Sequence, residues 1–179
     1  MLARKIFWIL TFLLMTVIFI FSSRPGDLSI QDSAWFLDKA KIMDEEEALD
    51  TSNMQAMVVQ RKIRKAAHII LFASLAMLIA MLIYASIYGY AGKALESGVI
   101  SWLLTILFAI SDEIHQYFVP GRSAQLQDVI RDGKGALIGC LLMMILFLII
   151  ERLPQLQRFI NKIYNFNADK IFLKTASDG

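Results

Sequence analysis

Four apolar runs organise this chain, over roughly residues 5–23, 66–90, 97–118 and 133–150. Each is close to the 20 or so residues that a helix needs to cross a bilayer. In hydrocarbon every backbone N–H and C=O must find a partner within its own segment, so runs of this kind are helices. Pro25, Pro120 and Pro154 all fall just past the ends of these runs, where a missing N–H does no harm. The pattern predicts an all-α polytopic membrane protein with four transmembrane helices in an up-and-down bundle. Residues 1–150 form the membrane domain and residues 151–179 a basic amphipathic tail. The first run follows Arg4 and Lys5, as a secretion signal would. However, it is too long for one, and Phe21-Ser-Ser-Arg-Pro-Gly26 offers no small-x-small cleavage site, so a retained first span is expected.

The connections are unequal. Residues 24–65 make a long first loop, in which Trp35, Phe36, Ala40 and Met43 recur at near-helical spacing ahead of the acidic run 44–47. This predicts a surface amphipathic helix at the membrane. Thr51, Ser52 and Asn53 then offer N-caps for a helix that begins outside the membrane and enters it through Met54, Met57, Val58 and Arg61. The connections at 89–96 and 119–127 are short, with Gly92 in one and Pro120-Gly121 in the other. In the tail, Leu153, Leu156, Ile160 and Ile163 oppose Arg158 and Lys162. That arrangement suits either an interfacial anchor or an ordinary tail that holds orientation.

The chain has 179 residues, 57% of them hydrophobic, and the surplus over a soluble domain lies in the four runs. A net charge of +2, with no basic stripe interleaved with aromatics, gives no reason to expect nucleic acid as a partner. The single cysteine, Cys140, rules out an intrachain disulfide and a cysteine-rich metal site. Positive charge does not decide orientation by count. Arg4, Lys5, Lys93 and the tail cations share one side, while Arg24, Lys39, Lys41, the Arg61–Lys65 cluster, Arg122, Arg131 and Lys134 share the other. The first helix and the tail favour both termini in the cytoplasm, provided the Arg61–Lys65 cluster serves a purpose other than orientation.

Up-and-down threading brings the end of span one, the start of two, the end of three and the start of four to one membrane face. Those four places hold Ser22, Ser23 and Arg24; Arg64, Lys65 and His68; Asp112, Glu113, His115, Gln116 and Arg122; and Asp128, Arg131 and Asp132. Ionisable groups at that depth cost several kcal/mol each on insertion scales of about 2.5–3.5 kcal/mol, which points to a functional site. Helical spacing places Arg64 with His68 on one face, and Asp112, His115 and Gln116 on another, with Glu113 turned away. Asp128, Asp132, Gly135 and Gly139 form one stripe whose glycines permit close helix approach. Bland alternatives stand beside the functional ones. They are Asp128 as a cap of its helix, Arg122 as an anchor to a lipid phosphate, and His68 in a buried structural pair with Asp112 or Glu113.

The chemistry this cluster allows is bounded. No His-Glu-x-x-His and no cysteine pair is present, so no metal or other cofactor is expected. His115 or Glu113 is the candidate general base, and Arg64, Lys65 and Arg122 are candidates to hold phosphate. A nucleophile at Ser22 or Ser23 lacks any elbow motif.

The stretches 18–26 (Ile-Phe-Ile-Phe-Ser-Ser-Arg-Pro-Gly here), Arg64-Lys-Ala-Ala-His68, Ser111-Asp-Glu-Ile-His-Gln-Tyr-Phe-Val-Pro-Gly-Arg122 and Asp128–Gly135 leading to Gly139 closely resemble, in order and spacing, the VanZ-like family of bacterial integral membrane proteins. The third stretch is the specific one. The resemblance covers roughly residues 5–150 and implies a four-span bacterial envelope protein, in a family whose namesake is linked to resistance to the lipid-tailed glycopeptide teicoplanin. It supplies a context and no reaction. Relatives often carry Glu-Tyr soon after the first histidine, where this chain has Leu71 and Phe72. An acid from elsewhere must therefore partner His68.

Three functional classes follow. In the first, the protein acts on or binds an envelope lipid or lipid-linked anionic precursor at the outer face of a bacterial cytoplasmic membrane. His68, Asp112, Glu113, His115 and Asp132 form the candidate polar cluster, and Arg64, Lys65, Gln116, Arg122, Asp128, Ser22 and Ser23 serve binding. In the second, the cluster is a structural ring in a non-catalytic scaffold. In the third, a small transporter, four helices are few and the polar groups keep to one face. The sequence leaves oligomeric state open.

Overall fold

The computed structural model describes residues 2–50, 52–86 and 93–153. Among them are six helices and no strand: α1 (Leu2–Ser22), α2 (Gly26–Lys39), α3 (Glu45–Leu49), α4 (Met54–Ser86), α5 (Lys93–Tyr117) and α6 (Leu126–Arg152). Four of these, α1, α4, α5 and α6, are long and apolar enough to cross a membrane, matching the four expected runs. Their polar ends extend beyond those runs: α5 starts at Lys93 instead of Ser97, and α6 at Leu126 instead of Gly133. The difference is physical, because hydropathy marks where lipid begins whereas helical hydrogen bonding continues into the aqueous layer. Thr51, Gly89, Gly92, Pro154 and the tail positions Leu156, Arg158, Ile160, Ile163 and Lys162 lie outside the described residues.

Helix α4 is central, packed against α6, α5 and α1. One apolar cluster joins Phe72, Leu75 and Ile79 of α4 to Ile18 of α1 and Ala109 of α5. Another joins Ala80 and Tyr84 to Met143 and Phe147, with the Tyr84 and Phe147 rings stacked at 3.9 Å. Between them α4 and α6 meet backbone to backbone. A Cβ on Gly135 would lie 2.6 Å from the Ile69 carbonyl oxygen, and one on Gly139 would overlap the Ala73 carbonyl. The Gly135–Gly139 pair therefore serves packing within the bundle. Beside it Cys140 is buried, its Sγ 3.1 Å from Ser101 Oγ. The outward faces are apolar and exposed, as at Ile9, Phe12, Leu103, Leu107, Leu142 and Ile145, which suits contact with lipid tails.

The 33 residues of α4 span about 50 Å at 1.5 Å per residue, more than the roughly 30 Å hydrocarbon layer. Its first turns therefore stand outside the membrane, as expected, and Asn53 caps them by accepting from the N–H groups of Gln55 and Ala56 at 3.0 and 3.1 Å. Ser52 turns back instead to the Asp50 carboxylate. The first connection holds a helix, α2, that starts earlier than the expected surface helix and contains Trp35 and Phe36. It ends before its C-cap Ala40 and leaves Met43 outside, because it packs alongside the protruding turns of α4. Arg64 reaches Ser29 Oγ, Ser33 Oγ lies 3.3 Å from Gln60 Oε1, and Gln60 Nε2 donates to the Ala48 carbonyl. Ala34, Leu37 and Ala48 pack with Met43, Val59 and Ile63, while Trp35 and Phe36 face outward. A small helical cap thus sits over the face where the polar residues gather.

Candidate functional site

Two tight turns build the floor of this face. The turn after α1 meets the turn after α5. Gly26 N–H donates to the Pro120 carbonyl at 3.1 Å, and a Cβ on Gly26 would strike the Gly121 carbonyl. Gly121 has φ +73°, a left-handed conformation that glycine adopts freely. Arg122 then reaches across the junction. Its Nε donates to the Arg24 carbonyl at 3.2 Å, its Nη2 to the Phe21 carbonyl at 3.2 Å and its Nη1 to Gln116 Oε1 at 3.3 Å. The Phe21 carbonyl, in the last turn of α1, also accepts from the Arg24 N–H at 3.3 Å, and the Arg24 carbonyl lies just beyond the helix. Among the described residues three of its five guanidinium N–H donors are engaged, which leaves two. Burial pulls Arg122 below the ordinary arginine value, and the charges of Asp112, Glu113 and Asp128 oppose that pull.

Beneath Arg122 the network continues inward. Asp112 is 4% exposed, and its Oδ2 accepts from Ser22 Oγ at 2.9 Å and Gln116 Nε2 at 2.8 Å. Ser22 is fully buried and spends its proton on this carboxylate, so it is not presented as a nucleophile. His68 finds its acid on α6: Nδ1 lies 3.4 Å from Asp132 Oδ2. The expected partners were Asp112 or Glu113. The close approach of α4 and α6 at Gly135 brings the Asp132 turn to His68 instead, and Asp112 turns to α1. The charges of Asp132 and Asp112 both nevertheless act on His68.

Glu113 takes a separate task. Its Oε1 accepts from the Gln125 N–H at 2.5 Å, and Gln125 is the N-cap of α6, with no side-chain cap of its own. A carboxylate from α5 thus caps α6, where the helix dipole favours negative charge. Asp128 sits in the first turn of α6 and pairs with Arg131.

His115 stands apart from these groups, in the seam between α1 and α5. Its ring stacks on Phe19 with centroids 4.5 Å apart, and its Nε2 lies 2.9 Å from Ser23 Oγ. Ser23 Oγ is also 2.7 Å from the Phe19 carbonyl, which can only accept. The single hydroxyl proton goes there, so His115 Nε2 carries its own proton and donates to Ser23. In this arrangement His115 does not act as base toward Ser23. Among the described residues, no three His, Cys, Asp or Glu side chains are grouped to hold a metal ion.

The VanZ/LLP1 family pattern matches residues 7–148 of the chain. The chain belongs to the VanZ/LLP1 family. No curated protein and no solved structure matches it. The family span takes in the four candidate membrane helices up to the last turn of α6 and includes every group of the site.

In this VanZ/LLP1 protein the cations are treated unequally. Arg24 forms a bidentate pair with Asp32 at 2.8 and 2.5 Å, which holds its guanidinium above the ordinary value, and Arg131 pairs with Asp128. Neither Arg64 nor Arg122 has an acidic partner within 4.0 Å among the described residues. Both are half-buried and each lies within the other's field, while Lys65 is half-buried at the next position of α4. Like charges that act on one another in a partly desolvated place repel, and an anion bound by both relieves that repulsion. Sequence reasoning missed Ser29, which faces Arg64, and Asp32, which neutralises Arg24. Both become legible only once α2 is known to start at Gly26.

Proposed function

We propose that this VanZ/LLP1 membrane protein binds the anionic headgroup of an envelope lipid or lipid-linked cell-wall precursor, at the outer face of a bacterial cytoplasmic membrane with both termini inside. The observation that carries the proposal is the Arg64–Arg122 pair. These two half-buried cations lack an acidic partner among the described residues, whereas Arg24 and Arg131 at the same membrane face are paired with Asp32 and Asp128. Guanidinium groups suit phosphate through paired N–H donors. Masking or holding such a headgroup would lower susceptibility to teicoplanin-type lipoglycopeptides by reducing what the drug meets at the surface. Native mass spectrometry of the purified protein tests the binding. A phosphate-bearing lipid should be retained over its diacylglycerol counterpart, and Arg64→Gln should abolish that preference. Equal retention of both lipids would defeat the proposal.

A second reading, a scaffold whose polar cluster is structural, is favoured by the bonds that Asp112, Gln116 and Glu113 make to α1, Arg122 and the start of α6. The two readings separate on Arg64→Gln. A scaffold keeps its cellular phenotype with this variant, whereas a binding protein loses the phenotype while its thermal stability is unchanged.

A further inference from the structure

The site has two layers. Arg64 lies one turn outward of His68 on α4, Gln116 one turn outward of Asp112 on α5, and Asp128 one turn outward of Asp132 on α6. With Arg122 bound to Gln116, the unpaired guanidinium groups form the outer layer, and His68, Asp112 and Asp132 form a layer about 5.4 Å deeper. The deeper layer is incomplete. Asp112 and Asp132 are 4% and 2% exposed, and each uses only one carboxylate oxygen. Asp112 Oδ1 and Asp132 Oδ1 are buried and have no hydrogen-bond partner among the described residues. A buried acceptor left bare is destabilising, and more so when charged. The charges of both carboxylates act on His68, and a bare oxygen on each calls for a group that brings N–H donors and positive charge.

We propose that the bound headgroup carries a primary ammonium beside its anionic phosphate, the phosphate held by Arg64 and Arg122 and the ammonium by the free oxygens of Asp112 and Asp132. An ethanolamine-type headgroup fits, because two carbons separate its phosphate from its amine, a span of about one helical turn. Choline carries the same charge without an N–H to donate, and glycerol offers neither charge nor ammonium. This inference rests on the anion-binding reading above and adds the cationic half of the ligand.

The test is equilibrium binding of short-chain phosphatidylethanolamine, phosphatidylcholine and phosphatidylglycerol to the purified full chain by calorimetry. A charge-assisted hydrogen bond contributes about 1.5–3 kcal/mol, so the ethanolamine lipid should bind roughly 10-fold or more tightly than the glycerol lipid, with the choline lipid below it. Asp132→Asn should bring the ethanolamine lipid to the level of the glycerol lipid while leaving the latter within about two-fold, since the arginines are untouched. Equal binding of ethanolamine and glycerol lipids to the wild type overturns this inference and leaves the anion-binding reading standing. Failure of all three lipids to bind overturns both. If Asp132→Asn does not fold, the comparison of ethanolamine with choline on the wild type decides, and equality there overturns the ammonium subsite.

Discussion

Gly139→Ala tests the packing on which the site depends. Its added methyl would meet the Ala73 carbonyl, and backbone cannot swing aside as a side chain does. Overpacking of this kind costs about 1–3 kcal/mol, and rigid backbone places it near the upper end. Helix propensity returns at most about 1 kcal/mol when glycine becomes alanine. The net loss is therefore about 2 kcal/mol. Gly133→Ala is the matched control, because its methyl would meet only Ile106 side-chain atoms at 3.7 and 4.0 Å. That variant should be neutral or gain up to about 1 kcal/mol. The assay is equilibrium unfolding of both variants in mixed micelles, where the two should differ by roughly 2–3 kcal/mol with Gly139→Ala the weaker. Separation of α4 from α6 should also weaken the His68–Asp132 contact, read as a changed His68 imidazole resonance in Gly139→Ala alone. Equal stabilities, or a more stable Gly139→Ala, would refute the close α4–α6 approach and with it the reason His68 finds Asp132.

Other consequences follow from single contacts. Arg122→Lys keeps the charge but loses the planar fork that reaches Phe21, Arg24 and Gln116; melting in detergent should show a loss of about 2 kcal/mol, and an unchanged melting temperature would contradict the clasp. Glu113→Gln retains an acceptor for the Gln125 N–H and should cost only about 0.3–1 kcal/mol, whereas Glu113→Ala should cost about 1–3 kcal/mol; equal losses would show that Glu113 does not cap α6. Asn53→Ala should speed amide exchange at Gln55 and Ala56 by an amount equivalent to about 1 kcal/mol, without change at His68. The Asp50 carboxylate is held below its ordinary range by bonds from Ser52 Oγ and N–H. Its contribution to the α3–α4 turn is full above the ordinary carboxylate value and is lost as pH falls through the lowered one. Exchange at Ser52 should therefore quicken only below about pH 4, and a step nearer neutrality would contradict the bond.

The bundle was legible because lipid imposes simple rules. Length and hydropathy locate the spans, prolines mark their ends, and threading alone brings four polar ends to one face. Helix spacing also gave the Gly135–Gly139 stripe its inward direction. What periodicity could not supply was the pairing across helices. Asp112 and Asp132 each stand within the field of His68, and the choice between them depends on how closely α4 approaches α6, a property of backbone contact at Ile69 and Ala73. His115 shares with Asp112 the face that meets α1, but it meets Phe19 and Ser23 in the seam whereas Asp112 meets the buried Ser22. The cap was half legible. Trp35 and Phe36 marked a helix, but its start at Gly26 follows from the Gly26–Gly121 junction, a contact between segments far apart in sequence.

The most direct test of the central claim is the thermal shift of the purified protein on adding a short-chain anionic phospholipid, measured for wild type and Arg64→Gln. Among the described residues Arg64 makes one hydrogen bond, at 3.4 Å to Ser29, so its replacement should leave the lipid-free melting temperature within about 2 °C of wild type. Saturating lipid at about 100 times its dissociation constant should stabilise the wild type by about 2.7 kcal/mol, a shift of several degrees that fades with added salt. With Arg64→Gln the shift should nearly vanish. An equal, salt-insensitive shift in both proteins would mean that the arginine pair does not hold the headgroup.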